Sequence, residues 1–513
     1  MHTNASLNLR SSRGDEALTF QAARLARPEY LSLVTSAATS PHSALRTPHW
    51  KNEPPHVGCY DQKASILVGL LWCVTLLSLV VISVLHTARM DLMVQKNYGD
   101  RIQAHYLAVA GIEKAKALLY RNAHERSRSG KNHTGELYNT PEQFREVALG
   151  RGKFSVLRRA RQDEGGGIVY GVSDEESRLN INTSEAETLT KLSGLTPQIF
   201  AAIADWRDGD NTASPGGAEA EYYLSLQPPY LPRNGPFQTV RELLMVKGIT
   251  PELLLGKDTH QNGLLNSSGD GSENSARADN QAADVETGWA GVLTTDSTSK
   301  NVSASGTERV NVQTADETAL TGMHGITPDI ARAITSYRGQ HQFQSIVDLL
   351  DVTQAQNNQN QNRGRGNSPA NQPDPSAGKS SGPKVISESL LMDIADDVTT
   401  VSGENLTGLV NINTASLNVL ACLPGVDREL AQAIISYRQS NGFFPNMAWL
   451  LKVPGMNQQI LKQFALLVSV RSETFRILSE GKINSTGARQ RIQAVVHVGL
   501  NDVATLSYRE DDL

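Results

Sequence analysis

The densest chemistry in the 513-residue chain lies between Asp205 and Tyr223. The segment reads Asp205-Trp206-Arg207-Asp208-Gly209-Asp210-Asn211-Thr212, then Gly216-Gly217-Ala218-Glu219-Ala220-Glu221-Tyr222-Tyr223. Its carboxylates repel one another unless a cation intervenes, and Arg207 alone cannot balance them. Counting Asp208 as position 1 puts Asp210 at 3, Thr212 at 5 and Glu219 at 12. Hard oxygen ligands at such spacing suit Ca²⁺. Ala213 stands where an EF-hand loop needs glycine, and Pro215 interrupts the loop, so this is not an ordinary EF-hand. The expected ligands are Asp208, Asp210 and Glu219, with Asp205 and Glu221 as further or outer-sphere ligands. A solvated acidic loop is the alternative.

The rest of the chain offers no second reactive constellation. There is no nucleophile elbow, phosphate loop or His-rich metal motif, and the 12 histidines are scattered. Cys59, Cys73 and Cys422 are too far apart for a metal knuckle, and Cys73 sits in an apolar run, against a disulfide framework. A formal charge of -5 gives no global pull toward nucleic acid or anionic lipid. The chain reads as non-enzymatic.

The acidic segment interrupts the first of three internal repeats. Arg178–Arg207 aligns without gaps to Arg309–Arg338 and Leu409–Arg438, opening RLNINTSEAETL, RVNVQTADETAL and LVNINTASLNVL. Each copy reaches a glycine (Gly194, Gly325, Gly425) and then a helix ending in Trp206-Arg207, Tyr337-Arg338 or Tyr437-Arg438. This is a helix hairpin. Thr183, Thr314 and Thr414 are expected at or beside the first N-caps, with Ser184/Glu187 and Thr314/Glu317 at capping-box spacing. Glycine ends the first helix, and Pro197 and Pro328 open the second. Ile199, Ala202, Ile203 and Trp206, with their counterparts in the other copies, form the buried stripe.

A helix-hairpin-helix that grips a nucleic-acid backbone uses a Gly-hydrophobic-Gly turn to bring amides to a phosphate. Thr196, Thr327 and Asp427 replace its second glycine here, and the first two copies are net acidic. The three turns are degenerate. A packing or docking role is expected ahead of nucleic-acid binding.

Around the repeats, Ala64–His86 is an apolar run of about 22 residues, long enough to cross ~30 Å of hydrocarbon. Seven Lys and Arg residues precede it (Arg10 to Lys63), which puts that side in the cytoplasm. Ala104, Leu107, Ala108, Gly111, Ile112, Ala115, Leu118 and Leu119 continue one apolar helical face, so one helix of about 55 residues is expected. Phe154–Leu157 with Ile168–Val172, and Thr474–Leu478 with Ile492–Val498, read as two hairpins of one small sheet. The resulting organisation is a disordered leader 1–63, a transmembrane helix 64–86, a spine continuation 87–125 and a first hairpin 150–177. The first repeat with its acidic insertion, 178–258, then precedes a flexible linker 259–306, the second repeat 307–352, a low-complexity linker 353–400, the third repeat 408–470 and a terminal hairpin 471–500. The fold class is α+β: a long spine helix on a small antiparallel sheet, with an inserted α-helical domain of helix-hairpin-helix-like (SAM-like) repeats.

Several segments resemble the general secretion pathway protein K family of minor pseudopilins. They are Leu71-Trp72, Ala110-Gly111-Ile112-Glu113, Ser173–Asn182, Asp205–Asp208, Gly217-Ala218-Glu219 with Tyr222-Tyr223, and Pro236–Leu243. The resemblance implies a spine helix on an antiparallel sheet, an inserted helical domain that binds calcium, and a place at the tip of a type II secretion pseudopilus. Other minor pseudopilins would be its partners. It also implies a single pass through the inner membrane with most of the chain in the periplasm. The family's leader is short and ends in glycine, where a prepilin peptidase cuts. Here Ala64 aligns there, after a long leader, and Ala64-Ser65 is the candidate bond. A membrane-anchored helix-hairpin-helix DNA receptor of an uptake system is the alternative class.

Overall fold

The computed structural model describes residues 63–132, 135–161, 164–256, 288–354 and 383–511. The leader before Lys63 lies outside the described residues, as do most of the two expected linkers. The chain divides into a unit ending at Val80 and one running from Val81. One continuous helix, Lys63–Ser129, crosses that boundary and is longer at both ends than expected. Its first part is apolar and long enough to span a membrane, with none of the spanning side chains buried.

From Ala104 onward the helix packs on a sheet. The order across the sheet is Val147–Leu149, Gly152–Arg159, Thr474–Ile483, Arg489–Val498 and Val503–Asp511. All neighbours are antiparallel. Ala108, Ile112, Ala115, Leu119 and Ala123 meet Val156, Ile477, Ile492, Ala494 and Val496 in one core, as the helical spacing on one side and the strand alternation on the other require. The approach is close because small residues face each other: a Cβ at Gly481 would overlap the Ala104 carbonyl oxygen, and one at Gly111 the Ser479 hydroxyl.

Two hairpin expectations change. The second strand of the first hairpin breaks at Tyr170–Val172 into Ile168–Val169 and Ser173–Asp174, because Asp174 leaves its neighbour to pair with Phe475. The terminal hairpin gains a third strand, Val503–Asp511, on an edge where nearly every side chain is exposed and periodicity carries no burial signal.

The sheet is interrupted by a helical domain with its own core. Each repeat has two helix pairs. The first holds Ala186–Leu189 and Pro197–Arg207, then Val240–Met245 and Pro251–Leu255. The third holds Leu417–Ala421 and Arg428–Asn441, then Met447–Lys452 and Gln458–Phe464. In the second, Glu317–Thr321, Pro328–Arg338 and Ile346–Asp351 are completed by Glu388–Ile394, beyond the low-complexity segment. That last helix falls within the expected linker 353–400, and the strand Thr298–Lys300 falls within the expected linker 259–306.

Two-residue parallel pairs close each copy where the chain enters and leaves it: Leu179–Asn180 with Leu293–Thr294, Val310–Asn311 with Val398–Thr399, and Val410–Asn411 with Val468–Ser469. The arginine ending each second helix reaches back to the opening segment. Arg207 Nη1 donates to the Ile181 carbonyl at 2.6 Å, Arg338 Nη1 to Val312 at 3.2 Å, and Arg438 Nη1 to Ile412 at 2.8 Å. The polar positions shared by the repeats are therefore structural. Asn182 and Asn413 each exchange two hydrogen bonds with the backbone of Phe237 or Phe444, and Gln313 accepts from Phe343 N.

Candidate metal centre

The first long hairpin helix, Pro197–Arg207, buries Trp206 against Tyr223, their rings edge-on at 5.2 Å between centroids. That packing turns Asp205, one residue earlier, fully into the protein. Its Oδ2 accepts from Ser214 N at 3.1 Å and Ala218 N at 2.8 Å, pinning both ends of the inserted loop. Gly217 passes so close that a Cβ there would overlap Asp205 Oδ2. Glu219, buried at 4% exposure, then leads into the short helix Ala220–Leu224 that carries Tyr223.

One carboxylate oxygen from each of Asp205, Asp208 and Glu219 lies within 4.8 Å of the others. Asp208, at the end of the Pro197–Arg207 helix, is the least buried of the three. Two oxygens bound to one calcium at about 2.4 Å can be no more than about 4.8 Å apart, so the trio has the size of a single hard-cation site. Asp205 Oδ1 and both oxygens of Glu219 are buried without a hydrogen-bond partner. Buried carboxylate oxygens without donors are costly, and a divalent cation supplies what they lack.

The local electrostatics agree. Burial, followed by the charges of Asp208, Asp205 and Asp210, raises the Glu219 carboxyl above its ordinary range. Burial, then Asp210 and Asp205, raises Asp208. Nearby cations are engaged elsewhere: Arg207 on the carbonyls of Ile181 and Ser184, Arg233 on Glu242, and Lys247 on the Gly217 carbonyl at 2.9 Å.

Of the expected ligands, Asp208 and Glu219 converge and Asp210 does not join them. Asp210 accepts from Thr212 N at 2.7 Å in a local turn, and its charge acts on the trio from outside. Asp205, expected as a further ligand, takes the central place. Glu221 is exposed in the first turn of the following helix. A loop count that begins at Asp208 misses that Asp205 lies one helical turn earlier on the same helix.

Gly194, Gly325 and Gly425 adopt the left-handed backbone expected at the hairpin turns, with φ of 83°, 80° and 70°. The residue two positions on caps the next helix with its own side chain: Thr196 accepts from Ile199 N, Thr327 from Ile330 N and Asp427 from Leu430 N. Pro197 and Pro328 remove a further donor in two copies. The first helices are capped by Asp316 and Ser416, with Glu185 at the corresponding place, two residues past the threonines expected there. The Asx turns Asn180–Asn182, Asn311–Gln313 and Asn411–Asn413 delay the helix start. Thr414 is buried and donates instead to Asp174.

The profile of a family described as "Type II secretion system (T2SS), protein K" matches residues 172–256, the stretch that contains the whole carboxylate trio. Over that stretch the chain is similar to the type II secretion system protein K family. Within that family's reach, "Type II secretion system protein K" of Klebsiella pneumoniae is 29% identical over 160 residues, 30% of this chain and 48% of that protein. "Endonuclease/exonuclease/phosphatase family domain-containing protein 1" of Mus musculus is 28% identical over 210 residues, 40% of this chain and 34% of that one. The chain thus spans about half or less of these relatives. A helix-hairpin-helix motif profile matches residues 305–359 and 407–469, the second and third repeats. The solved GspK-GspI-GspJ complex from the enterotoxigenic Escherichia coli Type 2 Secretion System aligns over 83% of this chain and 99% of that chain, at 12% identity and a TM-score of 0.35.

Proposed function

We propose that this chain is a member of the protein K family and a non-enzymatic minor pseudopilin of a type II secretion system. It is anchored once in the inner membrane by Ala64–His86, carries its larger part in the periplasm, and assembles with other minor pseudopilins at the pseudopilus tip. The observation that carries the reading is the protein K match over residues 172–256, set in a helical domain that interrupts a sheet packed on a spine helix. Ca²⁺ held by Asp205, Asp208 and Glu219 fixes the inserted loop; its chemistry is charge neutralisation and cross-linking of the loop to the first hairpin. Ala64-Ser65 is the candidate prepilin-peptidase bond. The test is complementation in a host lacking its own protein K: secretion returns with this chain if the reading holds, and stays absent despite normal accumulation if it does not.

The helix-hairpin-helix profile favours one other reading, a membrane-anchored DNA receptor. Capped helix starts at Thr196, Thr327 and Asp427 weigh against it, because the amides a phosphate would use already have partners.

A further inference from the structure

A second cleft lies away from the carboxylate trio. It has a volume of about 130 Å³ and is lined by Arg158, Arg159, Arg161, Arg178 and Arg476, with Asp174 the one lining carboxylate among the described residues. The arginines come from the end of strand Gly152–Arg159 and the residues just after it, the first residue of the first repeat and strand Thr474–Ile483, so the fold itself gathers them.

Their partners are shared. Arg158 makes a two-pronged contact with Glu164 at 2.8 and 2.7 Å, and Arg161 Nη2 holds the same carboxylate at 2.8 Å. Arg476 Nη2 and Arg178 Nη1 both lie on Glu175 Oε1, at 2.5 and 3.5 Å. Asp174 is occupied by Asn411, Thr414 and Ser472. Asp296 adds a weaker neighbouring charge to Arg476. The guanidinium of Arg159 has neither a hydrogen bond nor an ion pair among the described residues, although its carbonyl accepts from Arg158 Nη1, and its Nη1 and the Nε of Arg476 are buried without partners. A guanidinium held partly out of water, unpaired and among four others, is costly unless an anion completes it.

We propose that this cleft is an oxyanion site, with Arg159 as its principal ligand and Arg476 beside it. The ligand is a compact carboxylate or a tetrahedral oxyanion of the phosphate type, which a planar guanidinium grips by paired hydrogen bonds. The proposal is independent of the metal centre and of the secretion role.

The test is thermal melting of the full chain in detergent, titrated with sodium sulfate or sodium acetate at millimolar concentration against sodium chloride of equal ionic strength. The wild type shows a saturable rise in Tm that Arg159→Ala loses, while both proteins keep the same response to calcium. A larger effect of sulfate identifies a phosphate-type ligand, and a larger effect of acetate a carboxylate. In anion-free buffer Arg159→Ala melts at or above the wild-type temperature, because an unpaired charge has been removed. The same anion response in both proteins, no response in either, or a lower Tm of Arg159→Ala in anion-free buffer overturns the proposal.

Discussion

At the scale of single residues, the three carboxylates make separable predictions. Ligand binding to the folded state alone adds about 2.7 kcal/mol at a hundredfold excess over Kd. Calcium is therefore expected to raise Tm, and chelator to lower it. Asp205→Asn and Glu219→Gln should abolish that response while melting no lower than wild type in chelator, since each removes an orphaned charge. Asp210→Asn should keep most of it; equal loss in Asp210→Asn would place that residue in the site after all. The pH dependence has a definite sign. Glu219 and Asp208 have folded pKa values raised above their unfolded ones, so without metal their contribution is full at low pH and is lost as pH rises through the raised values. Calcium cancels that loss, and the Tm gap between calcium and chelator should close as the solution is acidified. A gap independent of pH would contradict the assignment.

At the scale of elements, the junction between sheet and inserted domain holds a second titrating group. Glu176 Oε1 accepts from Glu473 N and Thr474 N, and burial, then the charge of Asp174, pushes its carboxyl up to about 8 from 4.5. The protonated form belongs to the fold, so its stabilisation is complete below 4.5 and disappears as pH rises through about 8. Glu176→Gln should flatten the fall in Tm over that window; an unchanged slope would show that Glu176 is not its source. The helix–sheet crossing predicts a larger effect. Gly481→Ala forces a methyl onto the Ala104 carbonyl and should cost about 1–3 kcal/mol, read from denaturant melts. Much of this was legible in sequence: three ungapped repeats, the spine face and the inner strands all carry strong periodicity. What was not legible has local causes. The edge strand Val503–Asp511 is exposed and shows no alternation of burial, the last helix of the second repeat is cut off by a low-complexity stretch, and the Asx turns shift three helix starts by two residues. Spacing gives Asp205 only as a further or outer-sphere ligand, because its burial depends on Trp206 packing on Tyr223, a contact that spacing does not reveal.

At the scale of the whole molecule, the parts have distinct tasks. The start of the helix is apolar and long enough to cross a membrane, the small-residue face joins helix to sheet, and Lys462 ties the third repeat to the second by pairing with Asp348 at 2.7 Å and with Asp351. Protease added to spheroplasts should digest the chain after Arg89; full protection would reverse the orientation. Duplex DNA should bind weakly at physiological salt, and a sub-micromolar affinity falling steeply with salt would restore the receptor reading. The central claim is a place among the minor pseudopilins, and co-expression with those encoded in the same genome tests it most directly. The full chain, extracted in detergent with calcium present, should co-purify with them as a complex of fixed stoichiometry. Elution of the folded chain free of every one of them would contradict the account.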